Sequence, residues 1–393
     1  MGQLPPMLIE QKKQQVGGSN YNTKIPPGSF KMFIYLKEGL RIFKRARYVR
    51  KYGFKQYKGN AKEICEQIVK DCWNGQYFKA SNGHFCQFWT RDFGFYTESL
   101  INLGYKEEVK KTLKYALSIF SKYSKVTTTI TPNNKPYDFP YYAPDSLAYL
   151  IRSLRISNSI DLIKKYREFL NKEIHKFHNI VLDKDTGLVR KDKRFSSMKD
   201  FSIRKSSCYD NCCVAMLNNE LKKIKILENP FKKYNFEKII KDNFWINGYF
   251  IDDLSGNNFI TGDANVFPFY FEIFTDKKMM KSSITKIQEI GLDKPFPLRY
   301  STDKLKMILL DKILSNYEGN TIWCHLGSIY IKTVCKFNKN LAEYYLNQYT
   351  KLIEKNKNFI ELFFPNGKPY SRFWYYADEG MLWASIILEM INK

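Results

Sequence analysis

The sequence predicts an all-α protein, an (α/α)6 barrel in which six helical hairpins close into a toroid. Three observations lead there. Apolar residues recur at steps of three and four from about residue 60 onward, the resulting segments alternate between two characters, and every second segment begins after a nearly constant interval.

Taken in order, twelve segments carry the helical period: near 60–73, 92–103, 106–121, 145–156, 159–177, 207–224, 234–242, 263–275, 279–290, 321–336, 340–355 and 378–391. Ile64, Ile68 and Cys72 line one face of the first, and Val109, Leu113, Ala116 and Phe120 line one face of the third. The even-numbered segments start near 92, 145, 207, 263, 321 and 378, at spacings of 53, 62, 56, 58 and 57 residues. Nearly all of them follow a stretch dense in aromatic and acidic residues: FWTRDFGF at 88–95, YYAPDS at 141–146, SSCYDN at 206–211, FITGDAN at 259–265, YEGNTIW at 317–323 and FIELFFPNGKPYSRFWYYADEG at 359–380. The odd-numbered segments lack such preludes and are richer in Lys and Glu. This asymmetry describes a double ring, with inner helices running one way and gathering their N-terminal loops at one mouth, and charged outer helices facing water. A funnel floored by loops on a rigid scaffold is a natural ligand site.

Ahead of the barrel, residues 1–29 carry Gly17, Gly18, Pro26, Pro27 and Gly28 with little apolar content and read as a flexible leader. Between Lys31 and Lys58 stand ten Lys or Arg residues and one acid, Glu38, interleaved with Phe33, Leu36, Leu40, Phe43 and Val49. This basic stretch is expected to form a helix or arm outside the barrel, able to meet an anionic membrane surface or a polyanion. The domain expectation is therefore a leader and basic arm over 1–58 and a barrel over 59–393.

At 393 residues, 44% hydrophobic and 16% aromatic, the chain can bury a large core and is not of the disordered class. No apolar run approaches the roughly 18 residues of a membrane span, and MGQLPPMLIEQKKQQ lacks a signal-peptide core, so a cytoplasmic location is expected, with the arm allowing peripheral contact with a membrane. The eight cysteines show no repeating spacing and no CxxC pair, which points to free thiols and to no bound metal. Four histidines make a histidine-centred site improbable, and no cofactor is implied. The net charge of +25 goes with an abundance of Lys, Asn, Ile, Tyr and Phe, so most lysines are expected on solvated helix faces, with no specific nucleic acid as partner.

Chemistry concentrates in the preludes. Trp89, Arg91 and Asp92 set an indole beside a planar cation and a carboxylate, although Asp92 also suits a helix N-cap. Glu361 lies amid Phe359, Phe363 and Phe364, neighbours that suit a cleft, with a salt-bridged edge position as the alternative. Asp145 follows Pro144 and precedes an apolar helix, so it is a candidate acid or a plain N-cap; a helix N-terminus lowers a carboxyl pKa, and burial among Tyr141, Tyr142 and Tyr149 would have to outweigh that. Asp210 and Asp263 are its substitutes. Asp252 and Asp253 resemble the acidic pairs of terpenoid cyclases, but no DDxxD is completed.

In hairpin order from about 60 to 391, and sharply in these loops, the sequence resembles the six-hairpin glycosidases: glucoamylases, neutral invertases, trehalases and the glucosidase half of debranching enzymes. WTRD at 89–92 is similar to their W-x-R-D element, which implies hydroxyl recognition by Arg91 and Asp92. Glu361, followed by Gly367, Trp374 and Trp383, sits where the family places its general base, and PDS at 144–146 resembles the stretch in which Asp145 would be the general acid. The resemblance further implies that Tyr142, Asp210, Asp263, Asn265, Trp323 and Trp374 line a sugar pocket, and that the protein hydrolyses a glucoside-like oligosaccharide or glycoconjugate by inversion. The competing expectation is a barrel without catalysis that binds carbohydrate or polyanion through its basic arm.

Overall fold

The computed structural model describes residues 27–303, 305–308 and 314–393, with side chains from residue 34 on. The chain divides between Gly39 and Leu40 into two units. The first holds, among its described residues, the opening turns of α1 (Pro27–Tyr52), and most of the leader expected over 1–29 lies outside the described residues.

The second unit, Leu40–Lys393, contains α2 (Ala61–Cys72), α3 (Thr90–Asn102), α4 (Lys106–Lys122), α5 (Pro144–Ile156), α6 (Ile160–Lys165), α7 (Arg167–Val181), α8 (Cys208–Lys223), α9 (Phe236–Phe244), α10 (Gly262–Tyr270), α11 (Lys277–Glu289), α12 (Cys324–Cys335), α13 (Lys339–Asn356) and α14 (Ala384–Ile391). α3 packs on α5, α5 on α8, α8 on α10, α10 on α12, α12 on α14, and α14 back on α3. Six inner helices thus close a ring. The remaining helices lie behind them, each against its inner partner, and α13 packs on α2 to complete the outer layer. This is the (α/α)6 barrel that the period predicts.

Burial follows the two characters read from the sequence. Every residue of α10 is buried, whereas α2 buries only Ala61, Ile64, Cys65, Ile68, Val69 and Cys72 on one face. Close inner packing explains Gly94 in the middle of α3, since a Cβ there would collide with the Tyr149 ring of α5.

Side-chain caps are commoner in the outer ring, although α4, α6 and α7 lack them. The outer α2, α9, α11 and α13 begin with Asn60, Asn235, Asp276 and Asn338, whose side chains accept first-turn N–H groups. Among inner helices only α8 has such a cap, from Ser207, while α3, α5, α10, α12 and α14 follow Trp89, Ala143, Thr261, Trp323 and Trp383 with none. Loop carbonyls substitute: Thr90 N donates to Thr128 O at 2.9 Å, and Cys324 N to Glu361 O at 3.1 Å. The mouth loops are therefore tied into the helix ends they surround.

Three boundaries differ from expectation. The segment at 159–177 breaks at Tyr166 into α6 and α7. The last helix starts at Ala384 rather than 378, because Ser371–Arg372 pair with Tyr375–Tyr376 and Ile360 bridges Glu379, which keeps 378–383 in the loop layer. The compact unit begins at Leu40 rather than 59. From there Ile42, Ala46 and Val49 form an apolar stripe on α1, Arg45 pairs with Glu379, Arg41 donates to Gln87, and Phe43 packs on Trp374 with ring centroids 4.9 Å apart. All eight cysteines are free. Among the described residues no helix is long and apolar enough to cross a membrane, and no group of His, Cys, Asp or Glu is placed to hold a metal ion.

Candidate active site

Each inner helix from α3 to α10 carries an aspartate in its first turn: Asp92, Asp145, Asp210 and Asp263. The ring geometry brings these N-termini to one mouth. Arg91 is the hub of one wall. Its guanidinium donates to Asp145 Oδ2 at 3.3 Å and to the Ser197 carbonyl, and it meets both oxygens of Asp200 at 3.4 and 3.3 Å. Asp145 lies beneath it, fully enclosed, and also accepts from Tyr209 OH at 3.2 Å. Burial pushes its carboxyl up to about 7 against the pull of Arg91. Asp92 accepts from Trp383 Nε1 at 3.0 Å, and burial raises it to about 6.

Beside this hub lies a second ionic group. Lys199, wholly buried, donates to Asp252 at 2.6 Å and to Asp263 at 3.0 Å, and Arg204 stands 3.5 Å from the other Asp263 oxygen. Asp210 accepts from Ser207 Oγ at 2.6 Å, while its Oδ1 has no partner among the described residues. Trp89 packs edge-on against Phe85, and its Nε1 is likewise unpartnered among the described residues.

The opposite wall is aromatic. Ile322–Trp323 pair with Leu362–Phe363, which sets Glu361 beside the start of α12. Glu361 Oε1 accepts from Tyr317 OH at 2.8 Å, and Oε2 accepts from Tyr375 OH at 2.6 Å and from Asp378 N at 2.8 Å. Burial, with the Asp378 charge behind it, pushes this carboxyl up to about 8. Asp378 in turn accepts from Ser81 Oγ at 2.5 Å, His84 N at 2.8 Å and Phe85 N at 2.9 Å. Glu379, its neighbour, is occupied by Arg45 and by Asn358 at 2.8 Å. Trp323 donates to Tyr317 O at 3.0 Å and meets the Tyr317 ring edge-on at 4.9 Å.

The walls meet at the segment 197–202. Phe201 packs 5.8 Å from the Tyr317 ring, and Tyr300 donates to Met198 O at 2.9 Å while packing on Trp323. The structure thus gathers Arg91, Asp92, Asp145, Asp210, Asp263, Trp323 and Glu361 around one mouth. It uses others differently. Asn265 accepts from Phe250 N and donates to Phe250 O and Thr261 O, so its amide holds the preceding loop. Tyr142 packs on Phe195, and its carbonyl accepts from Ser196 N. Trp374 sits on the 371–376 hairpin, 52% exposed, against Phe43.

Asp200 is the residue that sequence reading passes over. It belongs to the non-helical segment between α7 and α8, and burial raises its carboxyl despite Arg91. Its side chain keeps 16% exposure, whereas that of Asp145 has none. The signal was present in Lys199-Asp200-Phe201 and Arg204, an acid flanked by cations and an aromatic, a few residues before the prelude that was read.

Six hairpins closed into a double ring, with an acidic and aromatic mouth at the inner N-termini, define an (α/α)6 toroid. The chain has the fold of the six-hairpin glycosidases. It aligns with a rhamnosidase from Klebsiella oxytoca with rhamnose bound at a TM-score of 0.60 and 9% identity, over 86% of this chain and 65% of the rhamnosidase. A mannosylglycerate hydrolase from Thermus thermophilus aligns at 0.59 and 11% identity over 85% of this chain and 100% of its own. Neutral trehalase from Saccharomyces cerevisiae aligns at 0.54 and 12% identity, covering 78% and 72%. No family model matches the sequence, and no curated protein matches it.

Proposed function

We propose that this protein is a glycoside hydrolase that inverts the anomeric carbon of a glucoside-like oligosaccharide or glycoconjugate, with Glu361 as general base and Asp200 as general acid. The observation that supports this best is the pair of carboxyls, Glu361 buried and Asp200 partly exposed, both with raised proton affinity, on the two walls that meet at Tyr317. Asp200 takes the acid role in place of Asp145 on a steric argument. A base acting through water needs only a water-sized approach, but a proton donor must touch the glycosidic oxygen of a whole sugar. Asp145 is sealed beneath Arg91 and orients that guanidinium, while Asp200 caps its open side. Arg91 and Asp92 then read sugar hydroxyls, with Trp89 and Trp323 as apolar walls. As the leaving oxygen takes the Asp200 proton, a water deprotonated by Glu361 attacks the opposite face of the ring. Inversion of this kind wants the two carboxyl groups roughly 6.5–9.5 Å apart. The fold relatives that cleave rhamnosides, mannosylglycerate and trehalose agree in class.

The test is a panel of reducing-end-labelled disaccharides read by mass spectrometry, with the first-formed anomer followed by proton NMR. Cleavage with an anomer opposite to the substrate's is expected. No cleavage of any member by folded protein, or retention of configuration, would overturn the reading.

A second reading, polyanion binding by the basic stretch, is favoured by the exposed Lys44, Arg47 and Lys51 beside Tyr48 and Tyr52 on α1. Glutamate at these three positions should release the protein from heparin at lower salt; unchanged elution removes this reading.

A further inference from the structure

Glu318 is a buried carboxyl that the hydrolytic step does not touch. It precedes α12 in the YEGNTIW stretch and is 2% exposed. Its Oε1 accepts from Asp200 N at 2.6 Å, and its Oε2 accepts from Phe201 N at 2.7 Å and Ser202 N at 3.2 Å. Three consecutive N–H groups converge on this one carboxyl. Burial and the neighbouring Asp200 charge push this carboxyl up, while the three N–H groups and Arg204 favour its ionised form.

That charge has a consequence for Asp200, whose own surroundings pull both ways. Arg91 on α3 and Arg204 on the same loop favour its ionised form, as does the neighbouring Ser196. Asp92 on α3, Asp145 on α5 and Glu318 oppose, and Tyr300 packs nearby without charge. Burial is the largest influence on Asp200 and raises its carboxyl despite the two guanidiniums. An anion at Glu318, hydrogen-bonded to the backbone of the same residue, adds to that effect.

We propose that Glu318 is the positioning residue of the proton donor, pinning the backbone of residues 200–202 and holding the proton on Asp200 by its negative charge. The proposal rests on the reading of Asp200 as general acid. It assigns to the stretch ahead of α12 a role beyond lining a pocket: it sets the pH range over which the opposite wall can donate.

The test has a spectroscopic arm that needs no substrate. Difference infrared titration of Glu318→Gln against Glu318→Gln/Asp200→Asn reads the Asp200 carboxyl alone. Its midpoint should fall by about one pH unit relative to the parent background, the size expected for loss of a neighbouring like charge. On a disaccharide the wild type cleaves, kcat/KM at pH values above the Asp200 midpoint should fall by about tenfold, because less of Asp200 keeps its proton, and KM should hardly change. Glu318→Asp keeps the charge on a shorter arm and should return the Asp200 midpoint while leaving kcat low. Should Glu318→Gln not fold, coupling is reciprocal: Asp200→Asn should lower the Glu318 midpoint by a similar amount. An Asp200 midpoint unmoved in folded Glu318→Gln, or a Glu318 midpoint indifferent to Asp200→Asn, overturns the proposal. Full activity of Asp200→Asn on an unactivated disaccharide sinks the donor assignment instead and leaves the measured coupling standing.

Discussion

The two walls of the mouth hold their carboxyls by opposite means. Asp145, Asp200, Asp252 and Asp263 are held by the full charges of Arg91, Lys199 and Arg204, whereas Glu361 is held by two tyrosine hydroxyls and one backbone N–H. Uncharged donors orient a carboxylate without quenching its basicity, which suits a group that must take a proton. Guanidinium and ammonium groups organise several acids at once but pull protons off them, so a donor on that wall needs a countervailing charge. The difference suits the proposed chemistry, with a base on the aromatic wall and recognition and a donor on the ionic wall.

The strongest way to break the contrast is Glu361→Gln. Gln keeps the shape and an acceptor for the tyrosines but cannot take a proton from water, so kcat should fall by on the order of 10²–10⁴-fold with KM nearly unchanged. The same substitution has a signature in stability. Glu361 stands near 8 in the folded protein against an ordinary 4.5, so the fold holds its proton more tightly than the unfolded chain. Its contribution is intact below the unfolded value and is lost as pH rises through about 8. Glu361→Gln should therefore raise the melting temperature at pH 9 and leave it unchanged at pH 4. Equal melting of the two proteins at both pH values would show that the carboxyl is solvated.

Asp200→Asn against Asp145→Asn sharpens the ionic side. On a disaccharide the Asp200 variant should lose at least about 10²-fold in kcat, and an aryl glycoside with a good leaving group should recover most of it, since such a group departs unprotonated. Asp145→Asn should instead raise KM by loosening Arg91, with no rescue by the leaving group. Rescue confined to Asp145→Asn would return the acid role to that residue. Arg91→Ala should be milder for chemistry and more visible in KM, by about tenfold, because hydroxyl recognition is felt before the transition state as well as in it.

Much of this architecture was legible because periodicity is local. Each segment shows its buried face within one or two turns, so the twelve helices and their alternation could be read from the chain. The same locality leaves other features out of sight. The α1 stripe of Ile42, Ala46 and Val49 is brief and sits under a run of positive charge, so the stretch looks like a free arm, and only its partners Gln87, Glu379 and Trp374 reveal otherwise. Asp200 lies in a non-helical segment with no period, and its partner Glu318 is 118 residues away. Arg91 sits at the start of α3, where a short motif stands out, whereas the tyrosines that hold Glu361 come from separate loops that only the closed ring brings together.

The smallest effect is expected at Trp374, and it tests where the aromatic wall ends. The family resemblance makes this indole a sugar platform, but its ring lies on the 371–376 hairpin, 52% exposed, with Phe43 at 4.9 Å and Phe373 at 4.9 Å. Arg50 of the same helix donates to the Arg372 and Tyr375 carbonyls, so this corner joins α1 to the hairpin that supplies Tyr375 to Glu361. A half-buried indole packed on a neighbouring ring stabilises by about 1 kcal/mol. Trp374→Ala should therefore lower the melting temperature by about one degree and leave KM within about twofold, because no sugar contact is lost. A sugar platform would behave in the reverse way, with KM rising about tenfold and stability unchanged, since stacking on an exposed indole acts only when substrate is bound. That outcome would extend the binding surface across the hairpin to α1 and make Phe43 a neighbour of the sugar rather than the buttress of a loop.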